Sequence, residues 1–257
     1  MVDERLLARV DALAARAARG EITYTHFLTP AEGAALTRRG MDRRATVLWG
    51  GYESAERRRM FFLPPYMAEL DEPYRTECLS AAFAESVIAL SVTGSGYREL
   101  SHRDFLGAIL NLGIERSRIG DLCVLSPREA VLFCARVMAT FLCEQLTRVA
   151  NDAVHVKEMT LPEGFDGGRS YKAVSDTVAS PRADAVVAAL CNLSRERAQA
   201  LFREGRVEMD NQPEERPDRE VSEGCVIVIR GCGKFIIRSL ADKTRKGRYR
   251  LLADQFV

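Results

Sequence analysis

Between residues 86 and 161 the apolar residues change period four times, and this alternation limits the folds open to the chain more than any other feature. The continuous β-branched run SVIALSVT (86–93) predicts a strand, and the spacing over 103–112 predicts a helix. Residues 122–126 and 130–133 then read as strands, 135–146 as a helix and 154–161 as a strand. The order βαββαβ folds as a four-stranded antiparallel sheet with both helices on one face.

Upstream, Leu6, Leu7, Val10, Leu13, Ala14 and Ala17 recur at helical spacing and stop at Gly20, which predicts an amphipathic helix with a glycine stop. Thr29-Pro30-Ala31-Glu32 has a threonine cap and a proline at the first helical position, so a second helix runs from there toward Gly40. Residues 45–49 and 60–63 read as strands before Pro64-Pro65, and Pro73 marks the end of this N-terminal unit. The glycine-rich stretch PEGFDGGRS reads as a loop, with a strand or two over 171–178.

Composition narrows the function classes. A net charge of +1 is too low to mark the whole chain as a nucleic-acid protein, but charge is segregated: from Arg169 onward there are 17 Lys and Arg against 13 Asp and Glu, and before it 20 against 23. The seven cysteines form no C-x-x-C pair and have no histidine at ligand spacing, so they read as reduced small hydrophobes rather than metal ligands. The first 20 residues carry charge throughout and no apolar run reaches membrane-spanning length, which predicts a soluble, cytoplasmic chain.

At the C-terminal end, Ser180-Pro181 reads as the cap and first residue of a helix ending at Asn192, and Ser194 as the cap of a second helix that buries Ala198, Leu201 and Phe202 and stops at Gly205. Between Arg182 and Val207 the chain spells R-x-D-x-V-x-x-x-L-x-x-S-R-x-x-A-x-x-L-x-x-x-G-x-V. This spacing resembles the αL-motif RNA-binding domain of the ribosomal protein S-four type. Carried over position by position, the resemblance makes Arg182, Ser194, Arg195, Gln199, Arg203 and Arg206 candidate RNA contacts and Leu190, Ala198, Leu201 and Val207 core. The chain departs from that pattern at Met209-Asp210-Asn211 and at Gly224-Cys225. From Arg230 to Arg250 it carries eight Lys or Arg against one Asp, adding Arg230, Lys234, Lys243, Arg245, Lys246 and Arg248 to the candidates.

Three further passages extend the likeness along the chain: Trp49-Gly50-Gly51-Tyr52 with Ala55-Glu56-Arg57, Thr93-Gly94-Ser95-Gly96-Tyr97-Arg98 with His102-Arg103-Asp104-Phe105-Leu106-Gly107-Ala108, and Gly113-Ile114-x-Arg116 with Ile119-Gly120-Asp121. With Lys243-Thr244-Arg245-Lys246-Gly247-Arg248 they resemble the bacterial YlmH-type family. That resemblance implies a factor on the large ribosomal subunit that contacts rRNA and tRNA in rescue or quality control of stalled translation. The expected architecture is α+β in three parts: a small N-terminal α+β unit (1–74), a ferredoxin/RRM-like βαββαβ domain (75–172) and an αL-motif domain with a basic β extension (180–257). Neither SVIALSVT nor DLCVLS offers stacking aromatics, so RNA contact by the middle domain would not use the usual aromatic platform.

Catalytic motifs fail on inspection. His102-Arg103-Asp104 copies the start of a kinase catalytic loop, but Ile109 stands where asparagine is needed, and the glycine-rich loop is missing. Gly94-Ser95-Gly96 lacks the rest of a dinucleotide fingerprint, and His26 and His155 have no partner at ligand spacing. The expectation is no catalytic residue, metal, cofactor, small-molecule substrate or membrane, and a monomer. The alternative is an RNA-modifying enzyme of pseudouridine synthase or methyltransferase type with an αL targeting domain; a structural ribosomal protein would be more basic. Arg43, Arg44 and Arg57 to Arg59 read equally as a second ribosome contact or an exposed face.

Overall fold

A computed structural model of the chain describes residues 3–39, 44–240, 244 and 247–256. Its contacts divide the chain into two units, Met1–Gly168 and Arg169–Val257. They draw no further line near residue 74, and the secondary structure is mixed α+β in both units.

The first unit opens with α1 (Glu4–Ala17), capped by the Asp3 carboxylate, burying Leu6, Val10 and Ala17. After β1 (Thr23–Tyr24), Thr29 and Glu32 form a reciprocal capping box on α2 (Pro30–Arg38), which satisfies two amides that a helix end leaves without partners. Thr29→Ala is expected to cost about 1 kcal/mol, read as a shift in the urea midpoint at unchanged slope. Then come β2 (Thr46–Trp49) and β3 (Arg59–Phe62), giving an antiparallel sheet of order β1-β3-β2. Every residue of central β3 is buried because both faces are covered. Met60 and Phe62 pack with Leu6, Val10 and Leu36, while Phe61 meets Leu79, Ala82 and Phe83 of α3 (Glu72–Ser86). This helix corrects the expected boundary at Pro73: the proline lies in its first turn, where a missing N–H is tolerated.

The chain continues as β4 (Val87–Gly94), α4 (His102–Asn111), β5 (Ile119–Ser126), β6 (Glu129–Ala135), α5 (Ala139–Gln145), β7 (Arg148–Val149) and β8 (Asp152–Glu158). The sheet order is β5-β6-β4-β8-β7, with every pairing antiparallel. Alternate residues decide the faces. Ile88, Leu90 and Val92 of β4 pack with Phe105 and Ile109 of α4 and Leu142 of α5. Val87, Ala89, Val131 and Phe133 turn the other way and meet Phe27, Tyr52, Ala55 and Phe165. Strands buried on both faces read as unbroken apolar runs, which is why SVIALSV has no polar alternation.

In the second unit β9 (Tyr171–Val178) precedes α6 (Ala183–Leu190) and α7 (Arg195–Arg203), followed by β10 (Val207–Met209), β11 (Gln212–Pro213), β12 (Val226–Ile229), β13 (Gly233–Ser239) and β14 (Tyr249–Phe256). The sheet order is β11-β10-β12-β13-β14-β9. All eight residues of β9 pair with β14, and this unit begins at Arg169, eleven residues before the expected 180. The start of α6 also moves: Arg182 is its cap residue, and Pro181 instead accepts a hydrogen bond from Val221 N at 2.8 Å. Val186, Val187, Ala198, Leu201 and Phe202 of the helix pair pack onto Ile227, Ile229, Phe235 and Ile237 of the sheet. Asp210 and Asn211, at φ +51° and +62°, make the tight turn between β10 and β11, a conformation that these two residue types tolerate. One disulfide, Cys191–Cys232 with 5.9 Å between Cα atoms, ties the end of α6 to the turn between β12 and β13 and corrects the reading of all seven cysteines as reduced.

Candidate nucleic-acid interface

Three of the predicted contacts converge on one acid. Asp184 lies in the first turn of α6 with its side chain fully buried. Arg195 grips it with two hydrogen bonds, Nε to Oδ2 at 3.0 Å and Nη2 to Oδ1 at 3.1 Å, the fork geometry that suits guanidinium and carboxylate. Gln199 donates to Oδ2 at 2.9 Å and Arg182 approaches at 3.3 and 3.4 Å. Burial alone would raise the pKa of this carboxyl, but the bonds from Arg195, Gln199 and Arg182 outweigh it and hold it down to about 2. The arginine side chains remain 42% and 51% exposed, so their remaining N–H donors face solvent. A buried acid thus fixes two half-exposed cations and an amide without cancelling their outward hydrogen-bonding capacity.

Arg195, Gln199 and Arg203 follow each other at four-residue steps, which places them in a stripe along α7. Arg203 is exposed, and its side chain has no hydrogen bond or ion pair among the described residues. The Oγ of Ser194 accepts from Arg197 N at 3.2 Å, capping the helix and leaving the hydroxyl hydrogen as a donor. Arg206 extends this side of the unit: its Nη2 donates to Arg230 O at 2.7 Å, its Nη1 lies 3.5 Å from Glu204, and Arg230 in turn pairs with Glu208 at 3.2 Å.

The remaining candidates lie elsewhere. Lys234 sits 4.8 Å from the centre of the Phe256 ring at one end of β14, and Arg248 donates to Thr177 beside the other end. Strand geometry puts those ends roughly 25 Å apart. Lys243, Arg245 and Lys246 fall outside the described residues, as does Arg43.

The N-terminal arginines have internal work. Arg57 donates to the carbonyls of Ile119, Phe27 and Arg116, and Arg58 to that of Ala55. Arg59 is buried, donates to Ser86 O at 2.9 Å and lies over the rings of Tyr24 and Phe27. The motif residue Asp121 is also structural: it accepts from the Tyr52 hydroxyl at 2.8 Å and from the amides of Glu56 and Arg57 at 2.7 and 2.9 Å. His102-Arg103-Asp104 is a helix start, with Asp104 and Ser101 forming a capping box on α4. Among the described residues no group of His, Cys, Asp and Glu could hold a metal ion, and no helix is long and apolar enough to cross a membrane.

Comparison with known proteins bears on both units. Residues 83–163, which run from the end of α3 past β8, match the family described as "Putative RNA-binding domain in YlmH". A Bacillus subtilis (strain 168) protein named "Ribosome-associated protein quality control protein P2" is 28% identical over 228 residues, covering 88% of this chain and 84% of the relative. A solved structure titled "Cell division protein ylmH from Streptococcus pneumoniae" aligns with a TM-score of 0.47 and 20% identity over 64% of this chain and 94% of that one.

Proposed function

From its membership of the YlmH-like family, to which the chain belongs, we propose that it is a non-catalytic, ribosome-associated RNA-binding factor acting in quality control of stalled translation. In this reading the sheet containing β5-β6-β4-β8 is ferredoxin-like, and the helix pair on the C-terminal sheet is an αL-motif domain. The helix pair binds rRNA and tRNA on the large subunit, in the cytoplasm, as a monomer. The observation that carries the reading is the Asp184 cluster. It offers two fixed guanidinium groups and an amide to phosphate oxygens, with Ser194, Arg203 and Arg206 on the same helix and the turn after it. Such contacts recognise RNA by shape and backbone, and need no reacting group.

The test is sedimentation of the full chain with separated ribosomal subunits at two salt concentrations, beside Arg203→Ala. Arg203 supports nothing inside the fold, so its loss reads binding alone. The expected result is salt-sensitive co-sedimentation with the large subunit. Arg203→Ala should weaken it several-fold and take about one unit off the slope of log affinity against log salt. Absence of binding to any ribosomal particle at low salt would refute the ribosomal reading, and binding to free RNA in its place would favour a modifying enzyme.

A further inference from the structure

The outward face of the middle sheet, where a base-stacking platform would stand, is filled by Phe27, Tyr52 and Phe165. If this region touches RNA, the contact lies on its rim. The loop between β4 and α4 provides one. Asp152, fully buried, accepts from the Ser95 hydroxyl and from Gly96 N at 3.2 Å, while Ser95 N donates to Ala153 O at 2.9 Å and Gly94 N to Arg128 O at 2.7 Å. The base of the loop is therefore fixed, and Gly96 turns the chain at φ +90°. At its tip Tyr97 is 81% exposed, the most exposed large hydrophobic side chain of the described residues, and its ring makes no aromatic or cation contact among them.

A ring so far out contributes little to the core and leaves its face open to a partner. The Arg128 guanidinium lies against Gly96, within 3 Å of where a Cβ would stand there, and is itself exposed without an ion pair among the described residues. The same loop leads into α4, which walls a groove of about 510 Å³ closed on its other side by the segment from Gln145 to Ala150. Arg103 and Arg148 enter it from opposite walls, with Asn111, Gln145 and Thr147 as neutral hydrogen-bonding groups. Its acid, Asp104, is engaged by Ser101 and lies 3.8 Å from Arg98.

We propose that this rim is a second RNA contact, specific for an unpaired segment: Tyr97 stacks on a base beside Arg128, and Arg103 and Arg148 hold the sugar-phosphate backbone in the groove. The combination of one bare aromatic ring with unpaired arginines fits single-stranded nucleic acid better than an anionic peptide, which has no use for the ring face. The inference rests on the RNA-binding reading above but uses different residues and a different RNA conformation, so the two fail separately.

Fluorescence anisotropy of the full chain with a short single-stranded oligoribonucleotide and with a closed RNA hairpin tests it. Tyr97→Ala should weaken the oligonucleotide by about tenfold, the loss of one stacked base, and Tyr97→Phe should keep the affinity. Arg103→Ala with Arg148→Ala should lower the salt slope by about 1.4 units, the share of two phosphates on a single strand, and hairpin binding should respond to Arg203→Ala instead. Unchanged oligonucleotide affinity in Tyr97→Ala overturns the proposal, whether or not the hairpin still answers to Arg203. Equal losses in Tyr97→Ala and Tyr97→Phe also overturn it, since stacking needs only the ring. Hairpin binding indifferent to Arg203→Ala would count against the helix-pair reading and leave a Tyr97-dependent contact standing.

Discussion

Gly51→Ala is expected to destabilise the first unit by about 3 kcal/mol, combining roughly 1–2 kcal/mol for an L-residue held at positive φ with roughly 1–3 for overpacking. Gly51 sits at φ +107°, and a Cβ there would stand 2.3 and 2.7 Å from two ring atoms of Phe133. That ring cannot step aside, because it is fully buried and stacks on Tyr52 at 4.8 Å between centroids. Gly113→Ala is the control: it has a similar positive φ, +78°, but its Cβ would meet open space, so it should lose only the backbone share. Urea unfolding followed by the fluorescence of the only tryptophan reads this unit, since Trp49 stacks on Phe83 within it. Equal losses in the two variants would show that Phe133 gives way and that the close packing of Gly51 contributes nothing.

That close approach also explains what the Trp49-Gly50-Gly51-Tyr52 passage encodes. Read as sequence, it was a likeness without a mechanism; in the fold, the glycine lets the chain pass against Phe133 while Tyr52 reaches Asp121. Gly120 belongs to the same packing, since a Cβ there would fall 2.7 Å from Phe27. Four strands and both helices of the middle sheet were legible, the burial of β4 and β6 being written in their apolar runs, but the fifth strand, β7, was not, since two residues carry no period. Helix α3 was not, because its buried stripe is only Leu79, Ala82, Phe83 and Ser86 among polar neighbours, and its proline looked like an ending. Strand β9 was legible as a strand but not as part of the second unit, since pairing with β14 across some seventy residues leaves no local mark.

The site divides in the same way. Spacing could point to Arg182, Arg195 and Gln199, but not to their convergence on Asp184, which depends on how α6 crosses α7. The aspartate stood in the R-x-D pattern, and its position two residues after one arginine and eleven before the other was the available signal. The arginines at 57 to 59 misled for the opposite reason. Arginine is expected at the surface, and nothing in the local sequence says that backbone carbonyls of a loop some sixty residues away need donors.

Arg195→Ala should therefore have two effects, and a second substitution separates them. Removing the guanidinium takes two charge-assisted hydrogen bonds from a buried carboxylate, so the second unit is expected to lose about 2–3 kcal/mol. It should also lose a phosphate contact, so RNA affinity falls by roughly 1–3 kcal/mol. Adding Asp184→Asn removes the buried charge while keeping an acceptor for Arg182 and Gln199. Stability should largely return and affinity should not. The same carboxyl sets an acid limit. Its folded pKa, about 2, lies below the roughly 3.9 of an unfolded aspartate, so its contribution is complete above about pH 4 and is lost as pH falls toward 2. In Arg195→Ala that loss should move to higher pH, and with Asp184→Asn this component should vanish. Thermal unfolding across this range, paired with hairpin binding at neutral pH, measures both. If RNA affinity recovers together with stability in the double variant, Arg195 only supports the helix pair, and the phosphate contact must be sought at Arg182, Arg203 or Arg206.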